Sequence, residues 1–322
     1  MHGKIKGLYV AAACFALCGA AMAQAPYPTK PVRVVVAGAA GGFIDTISRM
    51  VGQKLSERLG QPVIIENRGG AGGNIAARHV AAGDPDGYTL LATSPQIAIN
   101  MSLYKNPGYD LFREFAPVAL TGSTPGVFVV HPSNPANSLQ DLIRQSKGKP
   151  LNYATPGVGT SSHIAGDYLF RSLAGLEVVH VPYPGGAPAI NAVVANQIEV
   201  ISISMPPMVG LIKQGRLKPL AVSSLKRVDA LPNVPTVSEA GFADFEERSW
   251  VGFFVPAKTG RDVIDKLNAD INLILALPEI REKFAALGMD SEPGSAAQFD
   301  AYVRKEFTKW ARFVKSTGVS VD

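Results

Sequence analysis

Ser161, Ser162 and His163 stand side by side, and a hydroxyl next to an imidazole is the pair from which a nucleophile and its base are made. The surroundings do not complete that chemistry. No G-x-S-x-G elbow encloses either serine, and no spacing assigns an acid to the histidine. His79, His131 and His180 do not stand with His163 at the i, i+4 spacing of a zinc helix, so no metal is expected and His163 is read as structural. The hydroxyls are left to donate hydrogen bonds to an anion. A second candidate is Gly38-Ala39-Ala40-Gly41-Gly42, which follows the β-branched string ending at Val36. A strand that runs through glycine into a helix gathers backbone N–H groups at the positive end of the helix dipole, where an anion is favoured. Dinucleotide phosphate is one such anion, and Glu66 follows roughly 20 residues on, where a ribose-binding acid sits in a Rossmann unit. The G-x-x-G-G spacing departs from that fingerprint, and a tight turn without ligand is the other reading. Tyr302 and Lys305 lack one intervening residue for the Tyr-x-x-x-Lys pair that moves protons in nicotinamide enzymes.

The elements that must hold these turns alternate along the chain. Arg33–Val36, Val63–Glu66 and Tyr88–Ala92 read as strands, separated by helices over 44–59 and 75–82. The first helix places Ile44, Ile47, Val51, Leu55 and Leu59 on one face and stops at Gly60. A second glycine turn, Asn67 to Asn74, precedes the second helix. The same grammar returns: strand 151–154, glycine turn Thr155 to Ser162, helix 163–174, strand 177–181 and glycine turn Pro184 to Ala187. Gly41 and Gly157, like Gly69 and Gly185, are related by one offset, so the chain reads as two similar α/β units. Strands over 197–204, 217–223 and 250–255 follow, then amphipathic helices over 263–277 and 296–315 that complete the first unit. Four helix N-termini facing one cleft would hold a ligand from both sides.

Lys4 and Lys6 precede an apolar run from Leu8 to Ala21 and the small-x-small site Ala21-Met22-Ala23, so residues 1–23 are expected to be a removed secretory signal. Both cysteines, Cys14 and Cys18, fall inside it, which leaves the mature chain without disulfides or thiolate ligands. Losing two lysines takes the formal charge from +5 to +3, too mild for a nucleic-acid binder.

Seven ordered segments resemble the extracytoplasmic receptors of tripartite tricarboxylate transporters, the Bug receptors. They are YPTKPVRVVVAGAAGGFIDTISR, VIIENRGGAGGNIAA, DPDGYTLL, LNYATPGVGTSSHIAG, HVPYPGGAPAINAVVANQIEV, LKPLAVSSLKRVDALPNVPTVSEAG and SWVGFFVPAKTG. The resemblance implies a two-lobed α/β periplasmic-binding-protein fold of type II-like plan, each lobe a mostly parallel sheet flanked by helices. The lobes are expected at 24–122 with 226–322, and at 123–225. It implies a periplasmic receptor, not an enzyme, that takes a small organic carboxylate (a di- or tricarboxylate, amino acid or aromatic acid) and hands it to a membrane permease. The reading is of a monomer with no cofactor and no nucleic-acid partner; a NAD-dependent oxidoreductase and a sensor that presents its ligand to a membrane kinase are the alternatives.

Carried over by position, the resemblance assigns the ligand to Ala39, Ala40, Gly41, Gly42 and Phe43 from one lobe, and to Gly157, Gly159, Thr160, Ser161 and Ser162, with Thr155, from the other. Ser94 and Gln96, with Asn100, are expected at the cleft mouth, where loops leave the carboxyl ends of strands. Asp45 either caps its helix or meets an amine on the ligand. Arg68 and Trp250 are read as structural. The chain departs from the family where Gly38-Ala39-Ala40 replaces the usual Phe-Pro-Pro and Phe43 replaces a small residue. Phe43 then either reshapes the pocket for an aromatic acid or packs under its helix. Glu199, where the family commonly has Asp, is expected to affect local structure more than ligand choice.

Overall fold

β1 (Val32–Val36) buries four of its five side chains between parallel neighbours β2 (Val63–Asn67) and β3 (Thr89–Thr93). That burial on both faces is what a run of valines in a central parallel strand provides. The computed structural model describes residues 27–321; the expected signal segment, 1–23, lies outside them. Between β1 and β2, α1 (Phe43–Leu59) buries the five apolar positions expected of it and ends at Gly60, whose left-handed conformation returns its N–H to Ser56 O. α2 (Asn74–Ala81) leads to β3, and α3 (Gln96–Leu103) and the single turn α4 (Leu111–Glu114) follow it.

β4 (Phe115–Val130) links the two lobes. Its first part, to Pro125, pairs antiparallel with β9 (Arg248–Pro256), and from Gly126 onward it pairs with β7 (Val200–Ser204) and β8 (Lys218–Val222). Beyond it come α5 (Leu139–Gln145), β5 (Leu151–Thr155), α6 (Ser161–Asp167), β6 (Val178–Pro182), α7 (Gly186–Val194) and, after β7, α8 (Val209–Lys213). The sheet order is β2-β1-β3-β9-β4-β7-β5-β6. On one side β1, β2 and β3 are parallel, and on the other β5 is parallel to β6 and β7. The sheet is therefore mixed, parallel on its two flanks and antiparallel where β4 and β9 pair with their neighbours.

The chain closes with α9 (Arg261–Leu275), α10 (Pro278–Ala286), β10 (Asp290–Ser291) and α11 (Ala296–Thr317). A capping box on Ser295 and Gln298 starts α11. The sequence reading put this helix wholly with the first lobe. Its C-terminal half instead packs Trp310, Phe313 and Val314 against Ile99 and Leu103 of α3 and against Ile164 of α6, so it braces both lobes. Phe313 also stacks on Tyr168, in the wider turn Tyr168–Leu173 that extends α6.

Candidate ligand-binding cleft

The four glycine turns meet across the gap between the lobes, and they meet crosswise. A Cβ added at Gly185 would stand 3.2 Å from the Ala39 Cβ, and one at Gly72 3.0 Å from Val158 O. The first turn of each lobe thus faces the second turn of the other. Between them lies a cavity of about 250 Å3, joined through shared residues to a wider opening of about 810 Å3. Helix starts rim the inner cavity: Gly42 and Phe43 of α1, Gln96 of α3, Thr160 to Ser162 of α6, and Gly185 to Ala187 of α7. α1, α3 and α7 begin without a side-chain cap. The first N–H groups of a helix have no partner inside it, so these turns present donors to the cleft. No side chain lining the inner cavity is ionisable; its polar groups are hydroxyls, the Gln96 amide and backbone. The remaining wall is apolar, with Phe43, Ile44, Ile190, Ile203 and Pro207.

Of the positions assigned from sequence, Ala39, Gly41, Gly42, Phe43, Ser94, Gln96, Thr160, Ser161 and Ser162 line the inner cavity, and Gly157 lines the wider opening. Phe43 is half-buried, both at the cavity and against the core. Ala40, Asp45, Thr155 and Gly159 line neither space. Three of them are engaged in holding the turns themselves. Asp45 accepts from Gly41 N at 2.8 Å and pairs with Arg49, Thr155 Oγ1 bonds His180 Nε2 at 2.6 Å, and Gly159 N donates to His163 Nδ1. Asn100 ties the second turn down, donating to Gly72 O and Asn74 Oδ1. Arg68 pairs with Glu66, which also meets Arg33, so the acid that resembled a ribose ligand is engaged with two guanidinium groups. Trp250 is fully buried and donates to Glu306, away from the cavity. Glu199 accepts from Asn152, outside the cavity.

A family model described as tripartite tricarboxylate transporter family receptor matches residues 47–319. The chain belongs to that family. The receptor is 32% identical over 323 residues to protein BugT of Bordetella pertussis, which spans 98% of this chain and 97% of that one. Among solved structures, the R. palustris protein Rpa4515 with adipate matches at 32% identity and a TM-score of 0.87, covering 91% of this chain and 99% of that one. MatC from Rhodopseudomonas palustris with bound malate matches at 29% and 0.85, covering 89% and 100%. As a member of this family the chain is a solute receptor for a tripartite transporter rather than an enzyme.

Sequence reasoning missed the receptor's Gly185, Gly186, Ala187 and Ile190 as cavity residues, although the offset that relates Gly69 to Gly185 marks that turn as the counterpart of another. Ser204, Pro207 and Ser249 had no local signal, because they arrive from strand ends far apart in the chain.

Beneath the second-lobe turn the rings of His163 and His180 stack at 3.9 Å, and Tyr153 stacks on His180. Burial holds His163 down to about 4, and burial together with the neighbouring His163 holds His180 down to about 3. Both rings are therefore neutral at neutral pH. Unfolded histidines take up protons near pH ~6.5, so between there and about pH 4 the unfolded chain binds more protons than the folded one. Stability then falls as pH falls through this window, by up to about 1.4 kcal/mol per pH unit per histidine. Urea melts across that range are expected to show this slope, reduced in His180→Gln; a flat profile would contradict it.

Proposed function

We propose that this receptor binds a small organic carboxylate in the inner cavity, in the periplasm, and delivers it to the permease of a tripartite transporter. The observation that carries the reading is a cavity without ionisable side chains, rimmed by helix starts and hydroxyls from both lobes. Oriented peptide dipoles and hydroxyl donors can meet a carboxylate without a counter-cation. Ligands named in related structures, adipate and malate, are of the same chemical class. Gly41 to Phe43 and Thr160 to Ser162 are the proposed gripping segments. The proposed lobes, 24–122 with 226–322 and 123–225, separate at β4 and close by a hinge there. The wall of Phe43, Ile44, Ile190 and Ile203 favours an acid with an apolar body over a tricarboxylate.

Thermal-shift measurements with benzoate, adipate, succinate, citrate, NAD and a neutral sugar test the reading. A carboxylate at 100 times its dissociation constant is expected to stabilise by about 2.7 kcal/mol; a response to NAD or sugar and to no acid would overturn it. Phe43→Ala is expected to weaken the tightest apolar acid about tenfold or more, since a buried aromatic contributes about 1.5–3 kcal/mol. Unchanged affinities across aliphatic and aromatic acids would remove Phe43 from the site.

A further inference from the structure

Where the cavity meets the strand crossing it is lined by Ser204, the last residue of β7, and Ser249, the second residue of β9. Ser204 stands opposite Gly126 of β4 and Ser249 opposite Thr124, on either side of the point at which β4 changes partners. Both serines are buried, at 8% and 3% exposure. Among the described residues neither hydroxyl has a hydrogen-bond partner. Four buried hydroxyls around the same crossing, none of them lining the cavity, are bonded. Ser202, two residues earlier on β7, donates to Ser162 O at 2.9 Å, and Ser223 donates to Glu247 O at 2.6 Å. Thr121 donates to Val251 O at 2.8 Å and Thr124 to Gly288 O at 3.0 Å. Buried polar groups find partners as a rule, so two hydroxyls left open toward one cavity are available to whatever enters it.

Their surroundings set the charge of the guest. Arg248 is next to Ser249 in sequence, but its guanidinium turns to Ser123 Oγ and Asp290 and does not line the cavity. The backbone beside Ser204 has no donor to spare: Met205 N donates to Pro125 O at 3.0 Å, and Pro206 and Pro207 carry no N–H. A second carboxylate here would lose its water for two hydroxyls and no cation. An apolar group would bury both hydroxyls unpaired, which is also costly. A neutral hydroxyl or carbonyl oxygen can accept from both serines, and a hydroxyl gives one hydrogen back.

We propose that Ser204 and Ser249 are specificity-determining residues that receive a neutral oxygen of the ligand, so that the acid carried is a hydroxy- or oxo-carboxylate with an apolar body. This rests on the carboxylate reading of the cleft and adds a second polar group to the ligand. Thr160 to Ser162 and the facing helix start hold the carboxylate, and the two crossing serines select what the rest of the molecule carries.

Calorimetric titration with two matched series tests this: hexanoate, omega-hydroxyhexanoate and adipate, and benzoate, meta- and para-hydroxybenzoate and terephthalate. At least one hydroxy acid is expected to bind about tenfold or more tighter than its unsubstituted parent, and tighter than the matching dicarboxylate, since two hydrogen bonds are added. In the double variant Ser204→Ala with Ser249→Ala that ratio falls to about one. The double variant should melt as wild type does, because neither hydroxyl is bonded within the protein. Ser202→Ala, which removes a bonded hydroxyl from the same strand, should melt lower and keep the ratio. Parents or dicarboxylates that bind as tightly as the hydroxy acids overturn the proposal, and so does a preference that survives in the double variant. Benzamide and para-hydroxybenzamide separate the two readings. If no acid binds but the amides show the serine-dependent preference, the carboxylate reading alone falls; no preference in either the acids or the amides overturns the serine assignment.

Discussion

Gly185→Leu is expected to weaken carboxylate binding on the order of 100-fold while leaving each lobe folded. Two effects act at this position. Gly185 has φ +135° and ψ 177°, a region essentially restricted to glycine, where another residue costs about 1–3 kcal/mol. Any side chain there also meets Ala39 across the cleft, at 3.2 Å already for the Cβ, so further atoms hold the lobes apart or occupy the ligand space. Forcing atoms into a closely packed site costs about 1–3 kcal/mol more. Calorimetric Kd values check the size of the loss, with circular dichroism and melting as controls for folding. Gly210→Ala is the matched control: an added Cβ finds no atom within 4 Å there. Equal affinity in Gly185→Leu and wild type would mean that these turns do not come together around the ligand.

Glu306→Ala is expected to destabilise the protein by about 3–5 kcal/mol. Glu306 is 4% exposed, and its Oε2 accepts from Trp250 Nε1 at 3.1 Å and from Trp310 Nε1 at 2.9 Å. Both indoles are fully buried, so truncation strands two donors, each costing about 1–3 kcal/mol. Lys309 loses its partner as well, but its partly exposed ammonium can turn to water. Because Trp250 belongs to β9 and Trp310 packs where α11 meets both lobes, the variant should also loosen the brace between them. Urea denaturation measures the loss, and a change below about 1 kcal/mol would show that the indoles find other acceptors. Glu306→Gln, which keeps a carbonyl acceptor, should recover part of it.

The regular elements of both lobes are legible because their patterns follow simple periods: 3.6 in α1 and α9, and short β-branched runs in β1 and β7. β4 is not legible. It is buried along almost its whole length, so it shows no alternation, and Pro117, Gly122, Pro125 and Gly126 punctuate it like a loop. Those breakers coincide with register shifts against β9 between Pro117 and Ala119 and between Leu120 and Gly122, and with the change of partner at Gly126. In the cleft, glycine turns and hydroxyls declare themselves locally, because helix starts need residues of this kind. What a turn residue faces is less local. Asp45, Thr155 and Gly159 sit within the same turns as the cavity residues, yet point into the bonding of the turn itself. Ser249 comes to the site only because β9 is antiparallel to β4 and delivers its first residues at the crossing.

A crystal structure with the tightest of the tested acids bound measures the account most directly. It should show a carboxylate within hydrogen-bonding distance of Thr160 to Ser162 on one lobe and of backbone N–H groups at Phe43 and Ile44 on the other, with no lysine or arginine in contact. An acid seated away from both turns, or held by a cationic side chain, would contradict the account.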